Sequence, residues 1–200
     1  MSRGFVLLLG VVLLTGLAAF TYATAGFRVV TSEGARRLAI ARTPLAVPHV
    51  PLVDQDGVVF SLDDYRGKAV MIEFIYTRCP TLCSVLADDF SRMLALTSER
   101  NIELLSISFD SDNDDRQALK LYAERFGAAM PRWRIAMPVE RRDLAALLGT
   151  FGVVVIPDGM GGFVHNSAIY IVDANGRLVR IIDPDAPRQV VAAALDVSSQ

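Results

Sequence analysis

An apolar run, Ala69-Val-Met-Ile-Glu-Phe-Ile-Tyr76, leads within three residues to Cys79-Pro-Thr-Leu-Cys83. The chain then enters a segment whose apolar residues recur at Leu82, Val85, Leu86, Phe90, Met93, Leu94 and Leu96. The run is rich in β-branched and aromatic residues and reads as a buried strand. The spacing after it is that of one helix face and predicts a helix over residues 81–100. A buried strand that turns through a cysteine-bearing corner into a helix calls for a sheet with helices packed on it.

The remaining pattern agrees. Residues 50–53 and 58–60 form a short hairpin around Asp54-Gln-Asp-Gly57, and Ser61-Leu-Asp-Asp64 has the form of a capping box closed by Gly67. A second strand is expected at 102–109, a helix at 114–126 ended by Gly127, a short strand at 133–136 and a helix at 140–151. Strands at 168–172 and 177–182 flank Asp173-Ala-Asn-Gly176, whose Asn-Gly is a strong hairpin signal. A last helix covers 187–195. Strand-helix-strand connections imply parallel pairing, and the hairpin adds an antiparallel pair. The predicted fold class is α/β: a thioredoxin-like mixed sheet flanked by helices.

Ahead of this domain, residues 4–27 carry no charge and follow Arg3. About 20 apolar residues cross a hydrocarbon core as a helix. Ala23-Thr24-Ala25 also has the small-x-small form of a cleavage site. The run is longer than the roughly 7–15 residues of a signal core, which favours a retained anchor. Both readings send the rest of the chain out of the cytoplasm, and the short leader without an Arg- and Ser-rich region points to the periplasm. Arg28, Arg36 and Arg37 flank the far side, so the positive-inside rule adds little. The expected organisation is an anchor at 1–27, a linker at 28–47 and a folded domain at 48–197. The 200 residues suffice for one core plus this appendage, and the net charge of −2 gives no basic surplus to attract nucleic acid.

Two cysteines are too few for a disulfide scaffold in an exported chain. At a helix N-terminus, a thiol beside unpaired backbone N–H groups is favoured as thiolate. Positions i and i+4 share a helix face, so Cys79 and Cys83 can grip one ion. The C-x-x-x-C spacing makes a disulfide less natural than C-x-x-C, although the pair stays within bridging range.

Topology supplies a third candidate ligand. Ligands gather at the carboxyl ends of parallel strands. Cys79 lies beyond one such end and Asp110 beyond another. If the strand at 168–172 runs antiparallel to the first, His165 starts at that same edge, and the acidic loop Asp110-Ser-Asp-Asn-Asp-Asp115 would converge there too. Two thiolates and an imidazole suit copper, Cu(I) most closely. Cu(II) could add an oxygen ligand. Structural zinc prefers four protein ligands and would compete in vitro.

The run Phe74-Ile-Tyr-Thr-Arg-Cys-Pro-Thr-Leu-Cys83 resembles the motif of the Sco/SenC family of copper-binding proteins. So do Ser108-Phe-Asp110 with Asp114, Val164-His-Asn-Ser-Ala168 ahead of Asp173-Ala-Asn-Gly176, and Asp54-Gln-Asp-Gly57 with Arg66-Gly-Lys68. The similarity runs in order from about residue 48 to 195. It implies copper delivery to the dinuclear centre of a cytochrome c oxidase subunit, with Cys79, Cys83 and His165 as ligands. It also implies that Asp110 shapes either partner contact or the site and does not bind metal, and it implies exchange with another periplasmic copper chaperone or a thioredoxin-like reductant. Ser-Asp-Asn after Asp110 and Pro-Thr-Leu between the cysteines depart from the family's frequent Pro-Glu-Arg and Pro-Asp-Val. Neither departure touches a ligand.

Other residues read more plainly. His49 is structural or solvated, Asp112 belongs to a solvated turn, and Trp133 is core. Met160, in Asp158-Gly-Met-Gly-Gly162, is a tempting thioether ligand but reads as part of a mobile surface loop. The competing functions are a thiol-disulfide oxidoreductase that reduces the client's metal-site cysteines and a copper or redox sensor. A peroxidase is disfavoured, because Thr77-Arg78-Cys79 lacks the expected Pro-x-x-x-Thr-x-x-Cys.

Overall fold

The computed structural model describes residues 3–24, 26, 31–79, 82–97, 101–185 and 187–199, with backbone alone for Arg3 and residues 82–86. In chain order the elements are α1 (Arg3–Ala23), α2 (Ser32–Arg42), β1 (Leu45–Ala46), β2 (Leu52–Asp54), β3 (Val59–Phe60) and β4 (Ala69–Ile75). Next come α3 (Leu82–Leu96), β5 (Ile102–Ser108), α4 (Arg116–Phe126), β6 (Trp133–Pro138) and α5 (Leu144–Phe151). The chain closes with β7 (Val155–Pro157), β8 (Phe163–His165), β9 (Ile169–Val172), β10 (Arg177–Ile182) and α6 (Pro187–Ser198).

Residues 1–42 and 43–200 form separate units. In the first, α1 contains a 20-residue stretch, Gly4–Ala23, long and apolar enough to cross a membrane. Thr15 and Thr21 donate their hydroxyls to the carbonyls of Val11 and Leu17, at 2.9 and 2.7 Å, so neither leaves a polar atom unpartnered in that stretch. The expected linker at 28–47 is structured where it is described. Thr31 accepts the Gly34 N–H at 3.0 Å and Glu33 pairs with Arg37 at 3.1 Å, local interactions that start α2. At its far end, Leu45 and Ala46 pair with Leu178 and Arg177 as an edge strand. Residues 28–30 of that stretch lie outside the described residues.

The second unit is built on an eight-stranded sheet in the order β1-β10-β9-β4-β5-β6-β2-β3. The central strands β4, β5 and β6 are parallel, as the sequence predicts, and β9 runs antiparallel to β4, which meets the condition set for His165 to start at the same edge. Every residue of β4 is buried, so both faces are covered. Met71 and Ile75 join the core that also holds Phe90 and Met93 of α3, Leu119 of α4 and Val190 of α6. Phe74 points the other way, to Phe151 of α5 and Tyr170 of β9, with ring centroids 5.3 and 5.7 Å apart. The capping box at Ser61 and the left-handed Gly127 that ends α4 are both present. Asp115 caps α4 by accepting the Ala118 N–H at 2.8 Å. Helix 140–151 is divided, its first turn being a 3₁₀ turn at Arg141–Asp143.

A polar thread crosses the core. The Trp133 indole N–H donates to Ser106 at 3.0 Å, and the Ser106 hydroxyl donates to Glu73 at 2.6 Å. Glu73 is 2% exposed, and its second carboxyl oxygen has no hydrogen-bond partner. Burial pushes its pKa up to about 7 against the opposing effect of the Ser106 bond. Unfolded, the group titrates near 4.5; folded, it keeps its proton to about pH 7. The contribution of Glu73 to stability is therefore fullest below pH 4.5 and is lost as pH rises to about 7, by about 3 kcal/mol. Glu73→Gln should abolish that slope and leave the variant the more stable form at pH 8. Urea denaturation of the parent and of Glu73→Gln, full chains in detergent from pH 4.5 to 8, tests this, and a stability difference between the two that does not change across the window would contradict it.

Candidate metal centre

β4 and β5 pair over seven residues, Ala69↔Ile102 through Ile75↔Ser108, so the two strands end level. Tyr76 and Phe109, the next residue of each, stand with ring centroids 5.5 Å apart. Phe163 of β8 meets both, at 5.3 and 5.5 Å. Of these rings, Tyr76 and Phe163 floor a cavity of about 520 Å³ whose lining also includes Arg78, Cys79, Met160 and His165.

The corner after β4 is held by a buried carboxylate. Asp114 accepts the Thr77 N–H at 3.0 Å, the Thr77 hydroxyl at 2.6 Å and the Ser108 hydroxyl at 2.5 Å. Three donors on one carboxylate offset its desolvation and tie the corner to the start of α4. The Cys79 N–H donates to the Tyr76 carbonyl at 3.3 Å, and Cys79 is 9% exposed. Cys83 is the second residue of α3, so the strand-to-helix placement of the pair is as predicted. Its side chain lies outside the described residues, as do Pro80 and Thr81.

His165 ends β8, which pairs antiparallel with β7 across the turn 158–162. Asn166 secures the base of this hairpin, accepting the Val154 N–H at 2.7 Å and donating to the Gly152 carbonyl at 3.0 Å. The His165 ring packs 5.0 Å from that of Phe109 and 6.3 Å from that of Tyr76. Its Nδ1 faces the Asn166 carbonyl at 3.3 Å, which favours the tautomer with Nδ1–H and leaves the lone pair on Nε2. Burial lowers its pKa, with the Asn166 carbonyl acting in the opposite sense. The neutral ring so favoured is the form that binds metals.

The acidic loop does not line the cavity. Asp110 is buried and receives Arg78 at 2.9 Å and Asn113 at 2.8 Å. Arg78 also reaches the Gly161 carbonyl at 3.4 Å, linking the cysteine corner, the acidic loop and the hairpin turn. Asp112 is exposed and pairs with Arg141, while His49 is exposed and bonds Asp63 at 2.7 Å. Cys79 and His165 thus share one cavity. Among the described residues no three His, Cys, Asp or Glu side chains cluster as a metal site. Sequence reasoning missed the β7–β8 hairpin and the aromatic floor. The turn signal in Asp158-Gly-Met-Gly-Gly162 marked the hairpin, whereas nothing local marks rings that meet only across strands.

A cysteine-bearing corner after the central strand of such a sheet defines the chain as thioredoxin-like. The SCO1/SenC family model matches residues 41–199, and the chain belongs to that family. It is 26% identical over 131 residues to the SCO1 protein homolog of Bacillus subtilis, covering 64% of this chain and 68% of that one. It is structurally similar to BsSco, a member of the Sco family of cytochrome c oxidase assembly proteins in which a disulfide switch has been identified. There the TM-score is 0.70 and the identity 19%, covering 78% of this chain and 95% of that one. Bradyrhizobium japonicum ScoI with copper bound is also similar, with TM-score 0.63 and 22% identity over 76% of this chain and 99% of that one. At such identities the two structures establish a shared fold.

Removing the Asp114 carboxylate should loosen the corner. Asp114→Ala is expected to cost about 3 kcal/mol, since it strands two hydroxyls and an amide, and Asp114→Asn about half of that. Urea denaturation reads both. A cost under about 1 kcal/mol for the alanine variant would mean that water replaces the carboxylate without loss.

Proposed function

We propose that this chain is a copper metallochaperone, held in the membrane by its 1–27 segment with the 48–197 domain in the periplasm. It binds one copper through Cys79, Cys83 and His165 and delivers it to the dinuclear copper centre of a cytochrome c oxidase subunit. The observation that carries this reading is that Cys79 and His165, 86 positions apart (165 − 79), line one cavity. Thiolate sulfur and imidazole nitrogen are donors suited to Cu(I), and to Cu(II) with an added oxygen. Zinc is a competitor for the same donors.

The surrounding residues fit a cationic cargo. A bare guanidinium on the cavity wall would repel the ion, but Arg78 is neutralised by Asp110. Asn166 holds the hairpin base and its carbonyl orients the His165 ring. The rings of Tyr76 and Phe163, both packed on Phe109, cover one side of the cavity. The family membership and the copper-bound relative support the same reading.

A second reading rests on the C-x-x-x-C pair at a strand-to-helix corner and on the disulfide switch of BsSco. In it, Cys79 and Cys83 are oxidised to a disulfide while a client disulfide takes up the two electrons and two protons. Copper titration of the reduced full chain in detergent, followed by absorption and electron spin resonance, separates the two. The chaperone reading expects one copper per chain. It also expects His165→Ala to weaken binding by at least about 100-fold, because even outer partners of a ligand are worth about 10–100-fold. Unchanged copper affinity in His165→Ala, with full turnover on a disulfide substrate, would favour the oxidoreductase.

A further inference from the structure

The most exposed large apolar side chain of the 43–200 unit, among the described residues, is Met160, at 88%. It sits at the tip of the β7–β8 hairpin and lines the same cavity as Cys79 and His165. The sequence reads this tip as a mobile loop, but it is braced. One oxygen of Asp158 accepts the N–H of Met160 at 2.7 Å and that of Gly162 at 2.9 Å, and the Asp158 N–H donates to the Gly162 carbonyl at 3.0 Å. Gly159 and Gly161 take left-handed φ values of 75° and 92°, which bend the backbone tightly on both sides of Met160. A further contact from Arg78 reaches the Gly161 carbonyl. The turn therefore presents Met160 to solvent at the cavity mouth instead of letting it fold into the core. A flexible apolar side chain held out of the core contributes no burial energy there, while its thioether is a soft donor for Cu(I) and a poor one for Cu(II) or zinc.

We propose that Met160 Sδ is a transfer ligand for Cu(I), which it binds transiently at the cavity mouth as the ion moves between Cys79 and His165 inside and a carrier or client outside. The step is ligand exchange. A Cu(I)–donor bond to the outside carrier breaks as the Cu(I)–Sδ bond forms, and that bond breaks in turn as an inner donor takes the ion. Copper stays Cu(I) throughout and no proton moves at the thioether. This inference rests on the copper reading above.

The test uses the full chain in detergent, labelled with ¹³C at its six methionine methyl groups, with Met160→Leu identifying the Met160 resonance. Added Cu(I), or redox-inert Ag(I), should shift or exchange-broaden the Met160 methyl, and Zn(II) should do neither. In stopped-flow transfer of Cu(I) from the loaded chain to a colorimetric Cu(I) chelator, Met160→Leu should slow release about tenfold, as when one contact is lost from the transition state. Its equilibrium affinity should be nearly unchanged. A chain that takes up one Cu(I) while the Met160 methyl neither shifts nor exchange-broadens overturns the inference and leaves the chaperone reading standing, as does an unaltered transfer rate in Met160→Leu. If Cys79→Ser and His165→Ala bind Cu(I) as the parent does, the chaperone reading fails instead, and the inward half of the transfer route fails with it.

Discussion

The seven-residue parallel pairing of β4 with β5 is the constraint from which the site follows. Burial on both faces makes this pairing intolerant of slippage, because a shift of one residue would turn Met71 and Ile75 away from the helices that cover them. With the strands ending level, Tyr76 and Phe109 must stand side by side, and the cysteine corner and the acidic loop leave the sheet together. The antiparallel addition of β9 then returns the chain to that same edge from residues 163–168. Remote parts of the sequence meet there because three strands end or begin at one place.

Three of the buried carboxyl groups show three solutions to one problem. Asp110 is compensated by the Arg78 guanidinium and Asp114 by a fan of neutral donors. Glu73, inside the sheet with the single Ser106 bond, is compensated by keeping its proton. A buried ion without partners costs several kcal/mol, so each arrangement answers a cost set by position. The two ionic solutions lie beside the cavity and cross-link the loops that form it. The neutral one lies where, among the described residues, no cation pairs with the carboxyl.

The β7–β8 hairpin divides its residues by alternation. Phe163 and His165 pack against Phe109, while Ile156 and Val164, paired across the strands, are 56% and 63% exposed. The element that brings the imidazole to the cavity thus carries apolar side chains on its outer face and Met160 at its tip. Its hold on the rest of the domain runs through Asn166 at the base, the ring contacts in the middle and Arg78 at the turn.

Much of this fold was legible because its strongest signals are local. The β-branched run 69–76, the helical spacing after Cys79, Gly127 and Asn175-Gly176 each act over a few residues and appear as expected. The stretch 28–47 misled because its structure comes from short-range pairs in α2 and from a two-residue edge strand too short to show any period. Sequence alone determined the strand-to-helix cysteine corner, since the hydrophobic pattern dictates where a strand must end and a helix begin. Only the tertiary structure decided that Asp110 turns inward to Arg78, that the loop around Met160 is a braced hairpin, and that His165 enters the cavity of Cys79. Those outcomes depend on which strand ends coincide in space, and that is settled by burying the sheet on both faces, a condition no short segment can impose by itself.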